Sequence, residues 1–272
     1  MLCISPTVCS IKPQFKPSSS SPTIPHPPLL IRFNTSHREN IRYLKTLNLI
    51  SPTTTKFTSP EKITQILSLI NHLKSKSFSD SDIQKLANRF TNLMDLDYND
   101  IDLVFNFLTL ELPATVDESC KLILNCPGIL LSGVEFCLKP SVNFLKELGL
   151  KKLNSPSVLN AHLLNTRVEK FEEKIRFLES LGFSNEEARR ACGRLPAIFG
   201  YSIENNMRVK VDYLVEEMGR GIEELKAFPQ FFAFSLDKRI VPRHLHLKER
   251  NVEVPLQKML LWSDQKFYAK WK

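Results

Sequence analysis

The sequence predicts an all-α protein, a right-handed-type α-solenoid of stacked helix pairs. Three observations predict this fold class: apolar residues at helical spacing, regular helix-start and helix-stop residues, and recurrence of the whole unit at a steady interval. The 272 residues include only eight glycines and are 42% hydrophobic, which suits helices packed around a continuous core. A helix-pair unit that recurs in the mid-thirties of residues is typical of helical repeat proteins.

The clearest unit spans residues 166–199. Its first helix carries an apolar stripe and ends at Gly182, where a left-handed C-cap favours a residue without a Cβ atom. Ser184 and Glu187 form a capping-box pair that begins a second helix. Pro196 ends that helix because it has no N–H and restricts the residue before it. Each unit therefore reads as helix, glycine stop, capped helix, proline stop.

The same signals recur along the chain. Capping pairs are predicted at three places: Ser81/Gln84, Thr115/Glu118 and Ser184/Glu187. Helix ends with a proline recur at Pro127, Pro156, Pro196 and Pro229, and Thr91 fills the corresponding slot of an earlier unit. The interval from Pro127 to Pro156 is short and the next is long, so we expect an irregular repeat around residues 149–157 with a short or missing second helix.

Composition divides the chain into four parts. Residues 1–38 contain no Asp or Glu, have four basic residues, and are rich in Ser and Pro. This is the composition of a disordered organelle transit peptide, and the scarcity of arginine favours the chloroplast over the mitochondrion; the alternative is a disordered tail of a cytosolic protein. Residues 39–78 are predicted to be a linker and an N-terminal capping helix that begins at Ser59-Pro60. Residues 79–250 hold the repeats.

Residues 251–272 are predicted to be a C-terminal capping segment. Ser263 or Asp264 can cap its final helix. Its aromatic residues are expected to pack on the last repeat, because an end repeat must cover its apolar face. The alternative is a platform on which bases stack.

The repeated helix ends resemble those of the mitochondrial transcription termination factor (mTERF) family, plant organelle type, whose repeats carry a Leu-x-x-x-Pro-x-x-Leu core. That core reads Ile123…Pro127…Leu130, Cys192…Pro196…Phe199 and Leu225…Pro229…Phe232. Lys152 departs from it in the Pro156 unit, as Thr91 does in the earlier unit. The resemblance covers residues from 79 onward and implies a curved helical fold that binds nucleic acid in organellar transcription or RNA metabolism.

The sequence offers no signature of an enzyme. Catalytic motifs such as H-E-x-x-H, a P-loop or a nucleophile elbow are absent from it, so we expect neither catalytic residues nor a cofactor. His244 and His246 are two apart, so a helix turns them away from each other and no metal site is expected. Cys120, Cys126 and Cys192 fall near apolar helix positions and are expected to be buried thiols. No apolar run approaches the ~20 residues that span a bilayer.

Basic residues recur at matched positions of the repeats and are the predicted nucleic-acid contacts. In first helices Lys174, Lys210 and Arg243 share one slot, which Ser141 fills in an earlier unit. Arg167 and Lys170 are expected to form a basic edge with Lys174, with Glu169, Glu172 and Glu173 on the opposite side. In second helices, Lys85, Lys121 and Arg190 lie six residues before the repeat proline or its substitute, and Arg89 and Arg194 lie two before it. Arg239 completes the predicted set.

Such a ladder could follow a phosphate backbone with little sequence preference. The alternative is that these cations are solvated and paired at i,i+4. Net charge is +8 for the whole chain but only 33 basic against 29 acidic residues without residues 1–38. The sequence therefore predicts a monomeric regulator of chloroplast gene expression that binds double-stranded DNA or RNA, with other organelle gene-expression proteins as further partners. The alternative is a protein–protein adaptor in the same machinery.

Overall fold

The computed structural model describes residues 36–50, 59–90, 93–94 and 96–272. The predicted transit peptide lies outside the described residues except for its last three, and Thr91 lies outside them too. Every regular element in the described part is helical. The α-helices are α1 His37–Thr46, α2 Pro60–Ser75, α3 Asp80–Arg89, α4 Tyr98–Asn106, α5 Val116–Asn125, α6 Lys139–Glu147, α7 Val158–Leu164, α8 Val168–Ser180, α9 Asn185–Arg194, α10 Val209–Asp212, α11 Glu223–Ala227, α12 Val241–Lys248, α13 Leu256–Leu261 and α14 Asp264–Lys270.

Short non-α turns extend these helices. Wide π-type turns adjoin the first helices at Phe107–Glu111, Val134–Leu138, Ile203–Arg208, Tyr213–Glu217 and Leu236–Ile240. Tight 3₁₀ turns follow three second helices at Pro127–Leu131, Pro196–Gly200 and Pro229–Ala233. The first helix of a repeat is therefore longer than its α-helical core.

The predicted helix starts are confirmed with one correction. The Thr115/Glu118 and Ser184/Glu187 capping boxes both form. The predicted Ser81/Gln84 pair is wrong, because Ser81 already lies inside α3. The cap is Ser79, whose extended backbone (φ −78°, ψ 165°) lets its hydroxyl accept the N–H of Asp82.

The predicted glycine stops are confirmed. Gly149, Gly182 and Gly219 have φ of 82°, 97° and 63°, a region that L-residues with a Cβ rarely adopt. After Gly182, the N–H of Phe183 bonds to the carbonyl of Leu178 at 3.3 Å, and the Phe183 ring is buried. This is the Schellman-type end that the sequence indicates.

The proline stops are confirmed for three of the four prolines. The residue before each of Pro127, Pro196 and Pro229 has φ near −135° to −140° and leaves the helix. The apolar residues of the three cores are buried: Ile123, Leu130, Cys192, Phe199, Leu225 and Phe232.

Pro156 does not end a helix, so this prediction is wrong. Ser157, the next residue, caps α7. Pro156 therefore precedes the helix, where its missing N–H costs no helical hydrogen bond. Lys152, in a left-handed turn at φ 57°, therefore does not occupy the first position of a core. The expected short second helix is confirmed, since α7 has 7 residues where α5 and α9 have 10.

Successive repeats stack as predicted. Second helices pack in series, α3 on α5, α5 on α7 and α9 on α11, and the first helix α6 packs on α8. One hydrophobic cluster runs from Leu44 in α1 to Phe267 in α14. The repeats meet closely where a Cβ on Gly193 would lie 2.6 Å from the Leu148 carbonyl oxygen.

The C-terminal segment packs on the last repeat. Ser263 caps α14. Leu260 and Phe267 are fully buried, and Trp262 and Trp271 pack half-buried against the core. Of the two interpretations of this segment, the structure supports core packing for these residues.

Candidate nucleic-acid interface

The slot shared by Ser141, Lys174, Lys210 and Arg243, here called the inward slot, faces the protein interior. Ser141 and Arg243 are 0% and 1% exposed, and Lys210 is 5% exposed. Lys210 and Arg243 were predicted to face a nucleic acid, and this placement is wrong because both side chains are buried and donate hydrogen bonds within the protein. Lys174 is half-buried.

Three members of the inward slot donate hydrogen bonds to backbone carbonyls further along the chain. Ser141 Oγ donates to the Thr166 carbonyl at 2.5 Å, and Lys210 Nζ donates to the Phe232 carbonyl at 2.7 Å. Arg243 donates to the carbonyl of Met259 at 2.5 Å and to that of Trp262 at 2.8 Å. The inward slot thus ties Ser141 to the start of the next repeat, Lys210 to the turn after the second helix of its own repeat, and Arg243 to the C-terminal segment.

Burial lowers the pKa of both lysines of the inward slot. Desolvation lowers the pKa of Lys210, and desolvation is also the main cause that lowers the pKa of Lys174. Burial penalises the charged ammonium, and a second acceptor, Asn206 Oδ1 at 2.9 Å from Lys210 Nζ, offsets part of this cost.

Arg89 and Arg194 are each the last residue of a second helix, and both reach the next second helix. Arg89 donates to the Leu124 carbonyl at 3.2 Å, and Arg194 donates to the Ala227 carbonyl at 2.9 Å. Asn125 occupies the same position of α5 and donates to the Pro156 carbonyl at 3.1 Å. These side chains are stacking contacts at the repeat junctions.

Arg239 is also committed to the protein. Its guanidinium donates to the carbonyls of Leu260 at 2.9 Å and Trp262 at 2.6 Å. It lies 5.4 Å from the centre of the Phe234 ring. Arg239 therefore joins Arg243 in fixing the C-terminal segment.

Lys85, Lys121 and Arg190, here called the outer ladder, do face solvent. Their side chains are 59%, 55% and 64% exposed. Each pairs with a carboxylate on its own helix: Asp82 at 3.1 Å, Asp117 at 2.6 Å and Glu186 at 3.0 Å, respectively. The Asp117 carboxylate raises the pKa of Lys121.

The outer ladder is interrupted. When the second helices are matched by their last residue, Asn160 fills the slot in α7 and Glu223 fills it in α11. Glu223 pairs with Lys226 at 3.1 Å. The ladder position therefore carries a cation in α3, α5 and α9. It is neutral in α7, which lies between α5 and α9, and negative in α11.

The predicted basic and acidic edges of α8 are not separate. Lys170 pairs with Glu173 at 2.9 Å, so Glu173 lies beside the basic residue and not opposite it, because residues three apart share a helix face. Glu172 pairs with Arg176 at 3.4 Å. Arg167 is exposed just before α8 begins.

Sequence reasoning missed the structural role of the inward slot, although one signal was available. Ser141 is uncharged and too short to reach a phosphate outside the core, so what Ser, Lys and Arg share in this slot is hydrogen-bond donation and not charge. A serine at the same repeat position as Lys210 and Arg243 therefore indicates that the side chain at this position donates to a buried carbonyl.

The histidines and cysteines do not assemble into a site. His244 Nδ1 lies 2.8 Å from the Tyr213 hydroxyl and His246 Nε2 lies 2.5 Å from the Trp271 carbonyl, which confirms that the two rings point apart. Cys120, Cys126 and Cys192 are buried, as predicted, and burial raises the pKa of the Cys192 thiol to about 12. Within the described residues no three His, Cys, Asp or Glu side chains are grouped to hold a metal ion. None of the described helices combines the length and the apolarity that crossing a membrane requires.

Comparison with known proteins gives matches in one family. Transcription termination factor MTERF2, chloroplastic, of Arabidopsis thaliana is 35% identical over 98 residues, which are 36% of this chain and 15% of that protein. Transcription termination factor MTERF8, chloroplastic, of the same plant is 27% identical over 190 residues, 56% of this chain and 38% of the relative. Transcription termination factor MTERF15, mitochondrial, also from Arabidopsis thaliana, is 27% identical over 185 residues, 64% of this chain and 40% of that protein.

The aligned part of this chain thus spans less than half the length of these relatives. The family model for mTERF matches residues 16–268, which includes every repeat and begins well before residue 79, where the sequence resemblance starts. The chain therefore belongs to the mTERF family.

Proposed function

We propose that this protein is a nucleic-acid-binding regulator of organellar gene expression that acts in transcription termination or regulation, or in RNA maturation. It works by occupying double-stranded DNA or RNA and blocking or guiding other machinery, without covalent chemistry. Family membership supports the general role. The outer ladder is the structural observation that supports nucleic acid as the ligand, because it repeats an exposed cation on stacked helices.

The ion pairs of the outer ladder do not prevent phosphate binding. Exposed pairs between a cation and a carboxylate contribute about 0–1 kcal/mol, so a phosphate can displace the carboxylate at small cost. Arg167 and Lys170 are further exposed cations from the predicted set and extend the proposed surface. Lys210, Arg239, Arg243 and Arg194 are left out because their donors are used within the protein.

The test is binding of the full chain to labelled duplex DNA and RNA across a salt series. Phosphate contacts predict that log affinity falls in proportion to log salt concentration, with a slope set by the number of contacts. Lys85→Glu, Lys121→Glu and Arg190→Glu combined should weaken binding and flatten the slope, whereas binding that is insensitive to salt would contradict the proposal. Circular dichroism should show unchanged helix content, since all three side chains are exposed.

We propose the chloroplast as the location, with the mitochondrion as the alternative. The composition of residues 1–38 and the chloroplastic names of two relatives support this. Imaging a fusion of residues 1–60 to a fluorescent protein tests it, and a fusion that stays in the cytosol would contradict it.

A protein–protein adaptor is the second candidate. Phe136 is 91% exposed and Leu110 is 78% exposed, and the Lys139–Glu111 ion pair at 3.4 Å brings the two stretches that carry them together. Apolar side chains this exposed are unusual when they cluster. A full chain that binds neither DNA nor RNA at low salt would favour this candidate.

A further inference from the structure

Positive charge is distributed unevenly between the repeats and the C-terminal segment. Residues 79–250 contain 23 Lys and Arg against 25 Asp and Glu, so the repeats carry no excess of positive charge. Residues 251–272 contain four lysines against two acidic residues, Glu253 and Asp264. A local excess of cations beside repeats that have none is the electrostatic footprint of an anion-binding surface.

The carboxylate of α14, Asp264, already has a partner within the protein. Asp264 Oδ1 lies 2.5 Å from the Arg243 guanidinium, which holds the pKa of that carboxyl below its usual range. Among the described residues Lys258, Lys266 and Lys270 have no carboxylate within ion-pair distance, whereas every member of the outer ladder has one.

The sequence of α14 explains why these lysines lack a counterion. Lys266 and Lys270 are four residues apart on one helix face, where like charges repel. The position four residues before Lys266 is Trp262 and not an acid. An external anion would therefore relieve a repulsion that the protein itself leaves in place.

One of the three lysines, Lys266, lies on a fixed support. Lys266 Nζ lies 4.4 Å from the centre of the Trp262 ring, which packs edge-on against Trp271 at 5.4 Å. Arg239 and Arg243 both bond to the Trp262 carbonyl and so join this support to the last repeat. A cation held over an aromatic ring loses less side-chain freedom when it binds a ligand.

We propose that Lys258, Lys266 and Lys270 form a phosphate-binding surface for the nucleic-acid backbone, here called the lysine platform. The inference rests on the proposed function and deepens it, since it assigns the strongest phosphate contacts to α13 and α14. The two helices are each about 10 Å long and follow one another directly along the chain. The three lysines bind without displacing a carboxylate, which the outer ladder must do.

A nucleic acid suits the lysine platform better than a lipid surface. Leu260 and Phe267 are fully buried in the core, and the large apolar side chains that these helices expose are Leu261 and Tyr268, one on each. Two separate side chains do not form the continuous apolar face with which amphipathic helices enter a membrane. Phosphates along a strand provide the repeated negative charge that the lysines match.

The test compares two full-length variants with the same change in charge. One is Lys258→Gln, Lys266→Gln and Lys270→Gln combined; the control is Lys139→Gln, Arg176→Gln and Arg208→Gln combined, which removes three exposed cations that pair with Glu135, Glu172 and Glu204. Fluorescence anisotropy measures affinity for a labelled DNA duplex and a single-stranded RNA between about 50 and 200 mM salt.

The platform variant should bind at least about tenfold more weakly at the lower salt concentrations, and its log–log salt slope should be less steep by about 2 to 3. The control should stay within about threefold of the wild type, because its cations lie outside both the lysine platform and the outer ladder. Urea unfolding of both variants checks that the fold is unchanged.

Different failures have different meanings. If wild type binds with a steep salt slope and the platform variant binds equally well, the lysine platform is overturned while the proposed function stands. Equal weakening in both variants would also overturn it, since only total charge would matter. If wild type binds neither nucleic acid, the proposed function itself fails, and binding only to vesicles of anionic phospholipid would replace the proposed ligand.

Discussion

The inward slot and the outer ladder share a sequence pattern but differ in what their cations bind. Lys210 and Arg190 each belong to a series that recurs at one repeat position. Lys210 donates to a backbone carbonyl in the turn after the second helix of its repeat, whereas Arg190 pairs with a carboxylate one turn back on its own helix. The difference teaches that recurrence alone marks a structural position, and that burial decides whether the position serves stacking or is open to a ligand.

The largest expected effect is on stability at the inward slot. Arg243→Met leaves the Met259 carbonyl without this donor, removes one of the two donors to the Trp262 carbonyl and deprives Asp264 of its partner, so we expect a loss of about 2–4 kcal/mol in the free energy of unfolding. Urea denaturation measures it. Arg190→Met is the matched control from the outer ladder and should change stability by less than about 0.5 kcal/mol. Similar losses in both variants would break the comparison.

Close approach between repeats can be tested without altering charge. Gly193→Ala places a Cβ 2.6 Å from the Leu148 carbonyl oxygen, and we expect a cost of about 1–3 kcal/mol, because the backbone must shift. Gly200→Ala has no atom within 4 Å of its new Cβ and should be tolerated. Thermal unfolding of both variants measures the difference, and an undisturbed Gly193→Ala protein would mean that the two repeats do not meet here.

A pH dependence should distinguish the buried lysine from an exposed one. The pKa of Lys210 is lowered by desolvation from a usual value of 10.5. Between the lowered pKa and 10.5 the unfolded chain binds more protons than the native one, so stability rises with pH in that window. Below the window both states are charged and the full desolvation cost is present.

This rise of stability with pH should be absent from Lys210→Met. The unfolding free energy of wild type relative to Lys210→Met should therefore increase as pH rises through the window, measured by urea denaturation at several alkaline pH values. The same comparison with Lys85→Met, an exposed member of the outer ladder, serves as the control. A difference that stays constant with pH would show that Lys210 is solvated.

The smallest effect is expected from the outer ladder itself. Lys85→Gln, Lys121→Gln and Arg190→Gln combined should lower the free energy of unfolding by no more than about 1–1.5 kcal/mol, since i,i+3 and i,i+4 pairs contribute a few tenths each. The loss should shrink further at 1 M salt, where screening is strong. A larger, salt-independent loss would assign these residues to the core.

The sequence predicted the repeat architecture well because its signals are local. A glycine with positive φ, a capping box and a proline act within a few residues, so Gly182, Ser184 and Pro196 could be assigned without tertiary information. Pro156 was misassigned because a proline can either follow or precede a helix, and only the Ser157 cap shows which occurs.

The candidate site was less predictable because the direction in which each cationic side chain points depends on how the surrounding helices pack. The helical angle places Lys210 beside the apolar stripe, but whether that edge meets water or the Phe232 carbonyl depends on how the two helices of the repeat pack together. The lysine platform was hidden for a related reason. The lysine platform is identified by lysines that have no carboxylate partner. The sequence does not show that Asp264 pairs with Arg243, and only the structure assigns this ion pair.

The reactivity of individual amines tests most directly whether the repeat position determines which cations are open to a ligand. Brief acetylation of the native full chain, followed by mass spectrometry, reports the rate at each lysine. Lys85, Lys121, Lys258 and Lys266 should react rapidly, whereas Lys210 should react at least about a hundredfold more slowly, because it must wait for local opening of the repeats. Equal rates at Lys210 and Lys121 would contradict the division between inward and outward cations.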